Sequence, residues 1–247
     1  MLRRCRNIPH ILQNQAPSPL RWLNQVFPGA LLAAFLVVGF AGPSLSDPTQ
    51  PTPPGVKDPG RTSISGDSSK PRSHFRVKTL KIMTPEKAQS IYEQMRKTMA
   101  SGYGLSKHPA AKAYQRWRRF NTSPYNSATH GQRYVNNCAN AKGRAYGMFE
   151  KAGTLPVGAV IAKDSFTVNE KGATGTGPLF TMEKMPQGFN YVSGDWRYTM
   201  IMPDGSIFGQ TKGENSEGVK FCISCHLAAE QNDHLHFMPK EVHTKAK

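Results

Sequence analysis

Residues 221–226, FCISCH, lie near the C-terminal end of the chain and contain the spacing Cys-x-x-Cys-His. Two thiols at this spacing can each form a thioether bond with one vinyl group of haem, and the His that follows can bind the iron. The stretch therefore predicts one covalently bound haem c per chain. Cys222 and Cys225 are the expected attachment residues and His226 the expected axial ligand.

Other kinds of site also use a Cys-x-x-Cys pair. A thioredoxin-like redox pair lies early in a strand-helix-strand pattern, whereas only 22 residues follow Cys225 here. A zinc site could combine the two thiols with His234 and His236, although the His-x-His spacing is tighter than that of most zinc fingers. A structural disulfide stays open as well. Haem attachment is favoured because it uses both thiols and the adjacent His.

The first 46 residues are typical of a secretory signal peptide. Four arginines precede the apolar run at 30–41, ALLAAFLVVGFA, and small residues follow it at 44–46. We expect cleavage near Asp47 and export to the periplasm, which suits a haem that is attached outside the cytoplasm. If the segment stays uncleaved, it would instead anchor the chain to the membrane. Residues 47–74 are rich in Pro, Gly and Ser, which predicts a disordered linker.

The chain is strongly basic, with 32 Lys and Arg against 16 Asp and Glu and a formal net charge of +16. Removal of the four arginines of the signal leaves a net charge of +12. This excess favours an acidic redox partner protein or an anionic membrane surface. We do not expect nucleic acid as a partner, because export is expected and no nucleic-acid-binding motif accompanies the charge.

The first part of the folded region, from Phe75, is predicted to be helical. Thr84 and Pro85 are suited to the start of a helix whose apolar face carries Ala88, Ile91, Tyr92, Met95 and Met99. A second helix is expected after Pro109, with Tyr114 and Trp117 inward and Arg116, Arg118 and Arg119 outward. A third is expected over 137–151, with Cys138 on its buried stripe and Gly153 as its stop.

The pattern then changes to that of strands. β-branched or alternating runs occupy 157–162, 179–182 and 196–202, and the turn residues 203–205 lead into 206–208. The fold class expected is therefore α+β: N-terminal helices followed by an antiparallel β-sheet and a C-terminal haem-binding segment.

Two of these strands resemble those of the cytochrome P-460 and cytochrome c′-beta proteins, which combine an antiparallel sheet with a C-terminal Cys-x-x-Cys-His and a five-coordinate haem. Residues 156–163, PVGAVIAK, are similar to that family's lysine-bearing strand, and residues 194–198, GDWRY, to its later Trp-bearing strand. The resemblance runs over about 129–238. It implies a haem domain over 75–247, in which 75–126 is an additional helical segment.

The resemblance implies a special role for Lys163, because the lysine at the matching place in cytochrome P-460 forms a covalent bond with the haem periphery. Alternation from Val157 through Ala159 and Ile161 also puts Lys163 on the apolar face of its strand. Cytochrome c′-beta proteins lack the bond and bind nitric oxide without oxidising a substrate. A covalent bond between Lys163 and the haem would therefore indicate an enzyme, whereas an unmodified Lys163 would indicate a gas-binding protein.

Three further side chains are candidates for the haem pocket. Glu217, with Glu214 as its rival, resembles in position a proton-accepting carboxylate of the hydroxylamine-oxidising members. Arg133, in THGQRY at 129–134, resembles an arginine near the family's haem pocket. Met238 lies within reach of the iron as a sixth ligand.

The resulting expectation is an exported mono-haem cytochrome that binds or oxidises hydroxylamine or nitric oxide at a haem with an open distal position. Lys163, Glu217 and Arg133 are the catalytic candidates. The alternative is a non-catalytic gas-binding or electron-transfer cytochrome. Because family members are usually homodimers, the resemblance also implies a dimer.

Overall fold

The computed structural model describes residues 71–245, and an antiparallel sheet of eight strands forms their centre. The helices are α1 (Pro85–Gly104), α2 (Pro109–Ala113) and α3 (Lys220–Leu227). The strands are β1 (Arg118–Arg119), β2 (Tyr125–Ser127), β3 (Arg133–Ala139), β4 (Val160–Val168), β5 (Thr174–Thr176), β6 (Leu179–Lys184), β7 (Trp196–Ile201) and β8 (Ile207–Gln210). The strand order is β1-β3-β4-β6-β7-β8, with β2 beside β3 and β5 beside β4. The α+β prediction is confirmed.

Helix α1 begins as the sequence predicts. The Thr84 side chain accepts a hydrogen bond of 3.3 Å from the backbone N–H of Lys87, and Pro85 follows at the first helical position. The expected apolar face is buried, with Met95 partly so. The second helix is shorter than predicted: after α2 a 3-10 turn buries Tyr114, and Arg118 and Arg119 belong to strand β1.

The predicted third helix over 137–151 is wrong. Its first residues continue β3, and a 3-10 segment, Arg144–Lys151, covers the remainder and is broken at Phe149, where φ is +53°. These residues form a strand because they pair with β4, Asn137 lying opposite Lys163 and Cys138 opposite Ala162. The Asn137 side chain also donates to the Tyr146 hydroxyl at 2.7 Å. Cys138 is buried as expected, but on a strand.

The two faces of the sheet have different neighbours. One face, here called the helix face, packs against α1 through Ala162, Phe166, Leu179 and Ile201. The other, here called the cavity face, carries two cross-strand rows of side chains. The first row is Ile161, Met182 and Tyr198; the second is Lys163, Phe180 and Met200.

Strand β4 alternates between these faces, so that Lys163 and Asp164 point to opposite sides of the sheet. The strand predicted at 157–162 is shifted along the chain: β4 begins at Val160, so that Lys163 lies inside the strand and not after it. The expected turn at 203–205 is present between β7 and β8.

No helix within residues 71–245 is both long and apolar enough to cross a membrane. The predicted signal peptide and most of the predicted linker lie outside the described residues. The end of that linker range, at His74, is described and contacts the domain.

Candidate haem site

A cavity lies against the cavity face of the sheet. Its wall includes the two motif thiols, the motif imidazole and side chains of both cross-strand rows: Ile161, Lys163, Phe180, Met182, Tyr198, Met200, Cys222, Cys225 and His226. The structure therefore brings four of the predicted site residues, Lys163, Cys222, Cys225 and His226, to one cavity.

Helix α3 presents the motif to this cavity. Because residues three apart lie on the same side of a helix, both Cys222 and Cys225 line the cavity. Both are free thiols. Burial, with a smaller effect of Cys225, raises the pKa of the Cys222 thiol to about 12, so that this sulfur is protonated in the haem-free chain.

The His226 imidazole is held in one orientation. Its Nδ1 lies 2.7 Å from the backbone carbonyl of His234, and because a carbonyl only accepts, Nδ1 is the protonated nitrogen. Burial lowers the pKa of His226 to about 3, which keeps the ring neutral. Nε2 is then the nitrogen left to bind iron. The ring lies 5.0 Å from those of Tyr198 and His236.

The loop that supplies the His234 carbonyl is fixed by the residue before it. Asp233 forms a buried ion pair with Lys184 of β6, and its other carboxylate oxygen accepts a hydrogen bond of 2.9 Å from the backbone N–H of Leu155. The Trp196 indole donates to the Asp233 carbonyl at 2.8 Å. The sheet thus orients the axial ligand through this loop.

Lys163 lies directly between Asn137 of β3 and Phe180 of β6. Burial lowers the pKa of its amine to about 8, and the nearby Cys225 opposes this shift. The expectation that strand alternation carries Lys163 toward the pocket is met, since the side chain lines the cavity.

These residues fit a haem c. Two reduced thiols, a neutral imidazole with one uncommitted nitrogen and an amine share one cavity, which is the donor set that covalent haem attachment needs. The buried Tyr198 hydroxyl, also on the cavity wall, has no hydrogen-bond partner among the described residues. The zinc alternative lacks support, because residues 71–245 contain no group of three or more His, Cys, Asp or Glu placed to hold a metal ion.

The expected carboxylate is not at the cavity. Glu217 lies in the 3-10 turn before α3, where it is exposed and paired with Lys220 at 2.6 Å. Its rival Glu214 is exposed and paired with Lys107 at 3.1 Å. The Glu217 side chain points to solvent, and the buried residues of its turn are Gly218 and Val219.

Arg133 and Met238 also lie outside the cavity lining. The Arg133 guanidinium donates to the backbone carbonyls of Phe75 at 2.7 Å and His130 at 3.1 Å, so that it fastens the N-terminal segment to the sheet. Met238 is buried in the apolar cluster that contains Trp196.

Three imidazoles besides His226 line the cavity: His236, which was named only for the zinc alternative, and His74 and His130, which were not predicted as site residues. The rings of His74 and His130 stack with centroids 5.1 Å apart, and both contact Phe180. His74 stands at the end of a polar, Pro-rich stretch, where no periodicity marks it as buried. His130 lies within THGQRY, whose only assigned residue was Arg133.

Comparison with known proteins agrees with this site. No curated protein matches the chain. The family model described as cytochrome P460 matches residues 111–237, a range that contains the cavity lysine and the whole Cys-x-x-Cys-His motif. Matched over half of its length and equipped with the residues that hold a c-type haem, the chain belongs to the cytochrome P460 family.

Proposed function

We propose that this cytochrome oxidises small nitrogen compounds, with hydroxylamine as the substrate and nitric oxide as a related ligand. The observation that supports this most is Lys163, whose amine lines the same cavity as the attachment thiols. Bound haem would supply an open iron coordination position and the redox chemistry. The chain would supply the axial imidazole, the tethering thiols and the lysine.

The Lys163 amine is suited to bond formation because part of it is neutral near neutral pH, its pKa being about 8. Lys163 would be the residue bonded to the haem periphery, with loss of one hydrogen from its amine and one from the haem carbon. The two electrons and two protons released would require an oxidant such as a peroxide, which is reduced to two molecules of water.

A gas-binding function is the second candidate, and one observation favours it. Among the described residues that line the cavity there is no Asp or Glu, so no carboxylate is there to take protons from hydroxylamine. In this case Lys163 would stay unmodified, and the protein would bind nitric oxide without turnover.

The purified wild-type protein distinguishes these functions. We expect a red-shifted, broadened reduced Soret band, a proteolytic peptide in which Lys163 is joined to the haem peptide, and hydroxylamine oxidation with an artificial electron acceptor. Lys163→Ala should lose all three and still bind nitric oxide. An ordinary c-type Soret band together with a free Lys163 peptide would rule out the cross-link and favour gas binding.

We also propose that the chain is exported to the periplasm, where it passes electrons to an acidic redox protein and forms a homodimer. The signal-like residues 1–46 and the excess of basic groups support export and an acidic partner. Cell fractionation with N-terminal sequencing tests export, the salt dependence of electron transfer tests the partner, and analytical ultracentrifugation tests the dimer.

A further inference from the structure

We propose that His74 donates a hydrogen bond to a ligand bound in the cavity that His226 also lines. This inference deepens the proposed function and rests on the haem site described above. His74 precedes the part of the chain that the family model matches, so this chain would add the residue to the site through its own N-terminal segment.

The two cross-strand rows separate the two imidazoles. His226 lies beside Tyr198, in the first row, with ring centroids 5.0 Å apart. His74 lies beside Phe180, in the second row, at 4.7 Å. Residues two apart on a strand are about 7 Å apart along it. His226 and His74 therefore line the same cavity beside two neighbouring rows of side chains.

The His74 ring is placed among other rings and not by polar contacts. It meets Phe221, the residue before the first motif cysteine, edge-on at 4.6 Å, and it stacks on His130. None of the hydrogen bonds found in residues 71–245 involves its imidazole. Burial, with Arg133 and Lys163 nearby, lowers the pKa of His74 to about 4. The ring is thus neutral, with one nitrogen to donate and one to accept a hydrogen bond.

His130 is less suited to this role. Its Nδ1 lies 2.9 Å from the Ser127 hydroxyl and 3.2 Å from the Thr129 hydroxyl, so one of its nitrogens is already engaged. His74, in contrast, also lines a second cavity, which shares Phe180 and Met200 with the first. His74 therefore lies at the boundary between the two cavities.

The segment that carries His74 is fastened at the next residues. The Phe75 carbonyl accepts the 2.7 Å hydrogen bond from Arg133, and the Val77 N–H donates to the Gly131 carbonyl at 2.9 Å. At Gly131 φ is +76°, and a Cβ there would overlap the Phe75 carbonyl oxygen and the Arg133 guanidinium. Arg133 is therefore a positioning residue for His74.

The test uses the full haem-loaded protein and two ligands. In His74→Leu, we expect the C–O stretching frequency of the ferrous carbon monoxide complex to shift. We also expect nitric oxide to dissociate about 3- to 10-fold faster, the factor that corresponds to one net hydrogen bond. His74→Gln, which keeps a hydrogen-bond donor, should bring both the C–O frequency and the nitric oxide dissociation rate part of the way back to the wild-type values. His243→Leu, a substitution outside both cavities, serves as the control.

A second variant tests whether the contacts at Gly131 hold the segment that carries His74 in place. Gly131→Ala keeps the imidazole but displaces its segment, so it should shift the C–O frequency in the same direction as His74→Leu. If His74→Leu fails to fold, the comparison of His74→Gln and Gly131→Ala with the wild type decides instead.

Unchanged C–O frequency and nitric oxide release in the His74 variants would overturn the assignment. So would a low-spin ferric wild type that becomes high-spin in His74→Leu, because His74 would then be an iron ligand. The carbon monoxide readout does not depend on nitrogen chemistry. If the wild type neither oxidises hydroxylamine nor binds nitric oxide but the carbon monoxide band responds to His74, the proposed function fails and the His74 assignment stands.

Discussion

Tyr92 of helix α1 donates a hydrogen bond of 2.9 Å to Asp164, the residue next to Lys163 on strand β4. Asp164 is buried and also accepts a 3.0 Å hydrogen bond from the Asn136 side chain. Burial raises the pKa of the Asp164 carboxyl, and these hydrogen bonds oppose that rise. Helix α1, which lies outside the family match, thus stabilises the strand position adjacent to the cavity lysine.

Tyr92→Phe should lower the free energy of unfolding by about 1–3 kcal/mol, because a buried carboxyl loses one of its donors. Urea denaturation followed by circular dichroism measures the change. Tyr191→Phe, at a side chain that is 93 % exposed, is the matched control and should have almost no effect. Equal stability of the two variants would contradict the role given to Tyr92.

Replacement of both Cys222 and Cys225 by Ala should yield a chain without covalently bound haem, since each thiol forms one thioether bond. Denaturing electrophoresis with haem staining, together with intact mass, gives the result. Cys138→Ala removes the remaining described thiol, which lies on β3 away from the cavity, and should retain the haem mass. Haem that survives denaturation in the double variant would show a different attachment residue.

The Lys163 amine should become reactive at unusually low pH. Burial disfavours the charged form and lowers the pKa to about 8, so acylation of Lys163 in the haem-free chain should rise through about pH 8 and level off above it. Peptide mass spectrometry after timed labelling at a series of pH values follows this residue alone. A midpoint near the ordinary value of 10.5 would mean that the amine is solvated.

The buried ion pair between Lys184 and Asp233 should matter for both stability and the iron ligand. Lys184→Met leaves the Asp233 carboxylate without its cation, which costs about 3–5 kcal/mol for a buried pair. Because Asp233 fixes the loop that holds His226, the electron paramagnetic resonance spectrum of the ferric haem should change as well.

Lys220→Met provides the comparison for this pair, since its partner Glu217 is exposed and such pairs contribute about 0–1 kcal/mol. It should leave both the stability and the spectrum close to those of the wild type. If Lys184→Met and Lys220→Met change the stability and the spectrum to the same extent, the ion pair of Lys184 with Asp233 does not affect His226 through the loop.

Met238→Leu should leave the rate of carbon monoxide binding unchanged. Met238 is buried in an apolar cluster and lies outside the cavity lining, so its thioether is not in place to bind the iron. The substitution nearly conserves volume and should cost less than about 1.5 kcal/mol. Stopped-flow mixing of the ferrous protein with carbon monoxide measures the rate, and faster binding in the variant would restore Met238 as a sixth ligand.

The sequence predicted those elements whose signals are local. Thr84 and Pro85 mark the start of α1, and alternation from Trp196 onward marks β7. The helix predicted over 137–151 is wrong because a buried polar side chain begins the region: Asn137, like the preceding Asn136, hydrogen-bonds within the core, which apolar periodicity does not detect.

The residues of the candidate site also differ in whether a local sequence signal marks them. Cys222, Cys225 and His226 follow from one contiguous motif, and Lys163 follows from strand alternation. His74 reaches the cavity only through contacts with residues more than 50 positions away, such as the hydrogen bond between the Phe75 carbonyl and Arg133. The residues that flank His74 in the sequence give no information about such long-range contacts.

Because Lys163 and Asp164 point to opposite faces of the sheet, the site depends on whether β4 shifts by an odd or an even number of residues. A slip of β4 by one position against β3 and β6 would exchange the two side chains, so that the carboxyl faced the cavity and the amine faced helix α1. A slip by two positions would keep each on its own side. Length changes in this strand during divergence should therefore be tolerated in even steps far more readily than in odd ones.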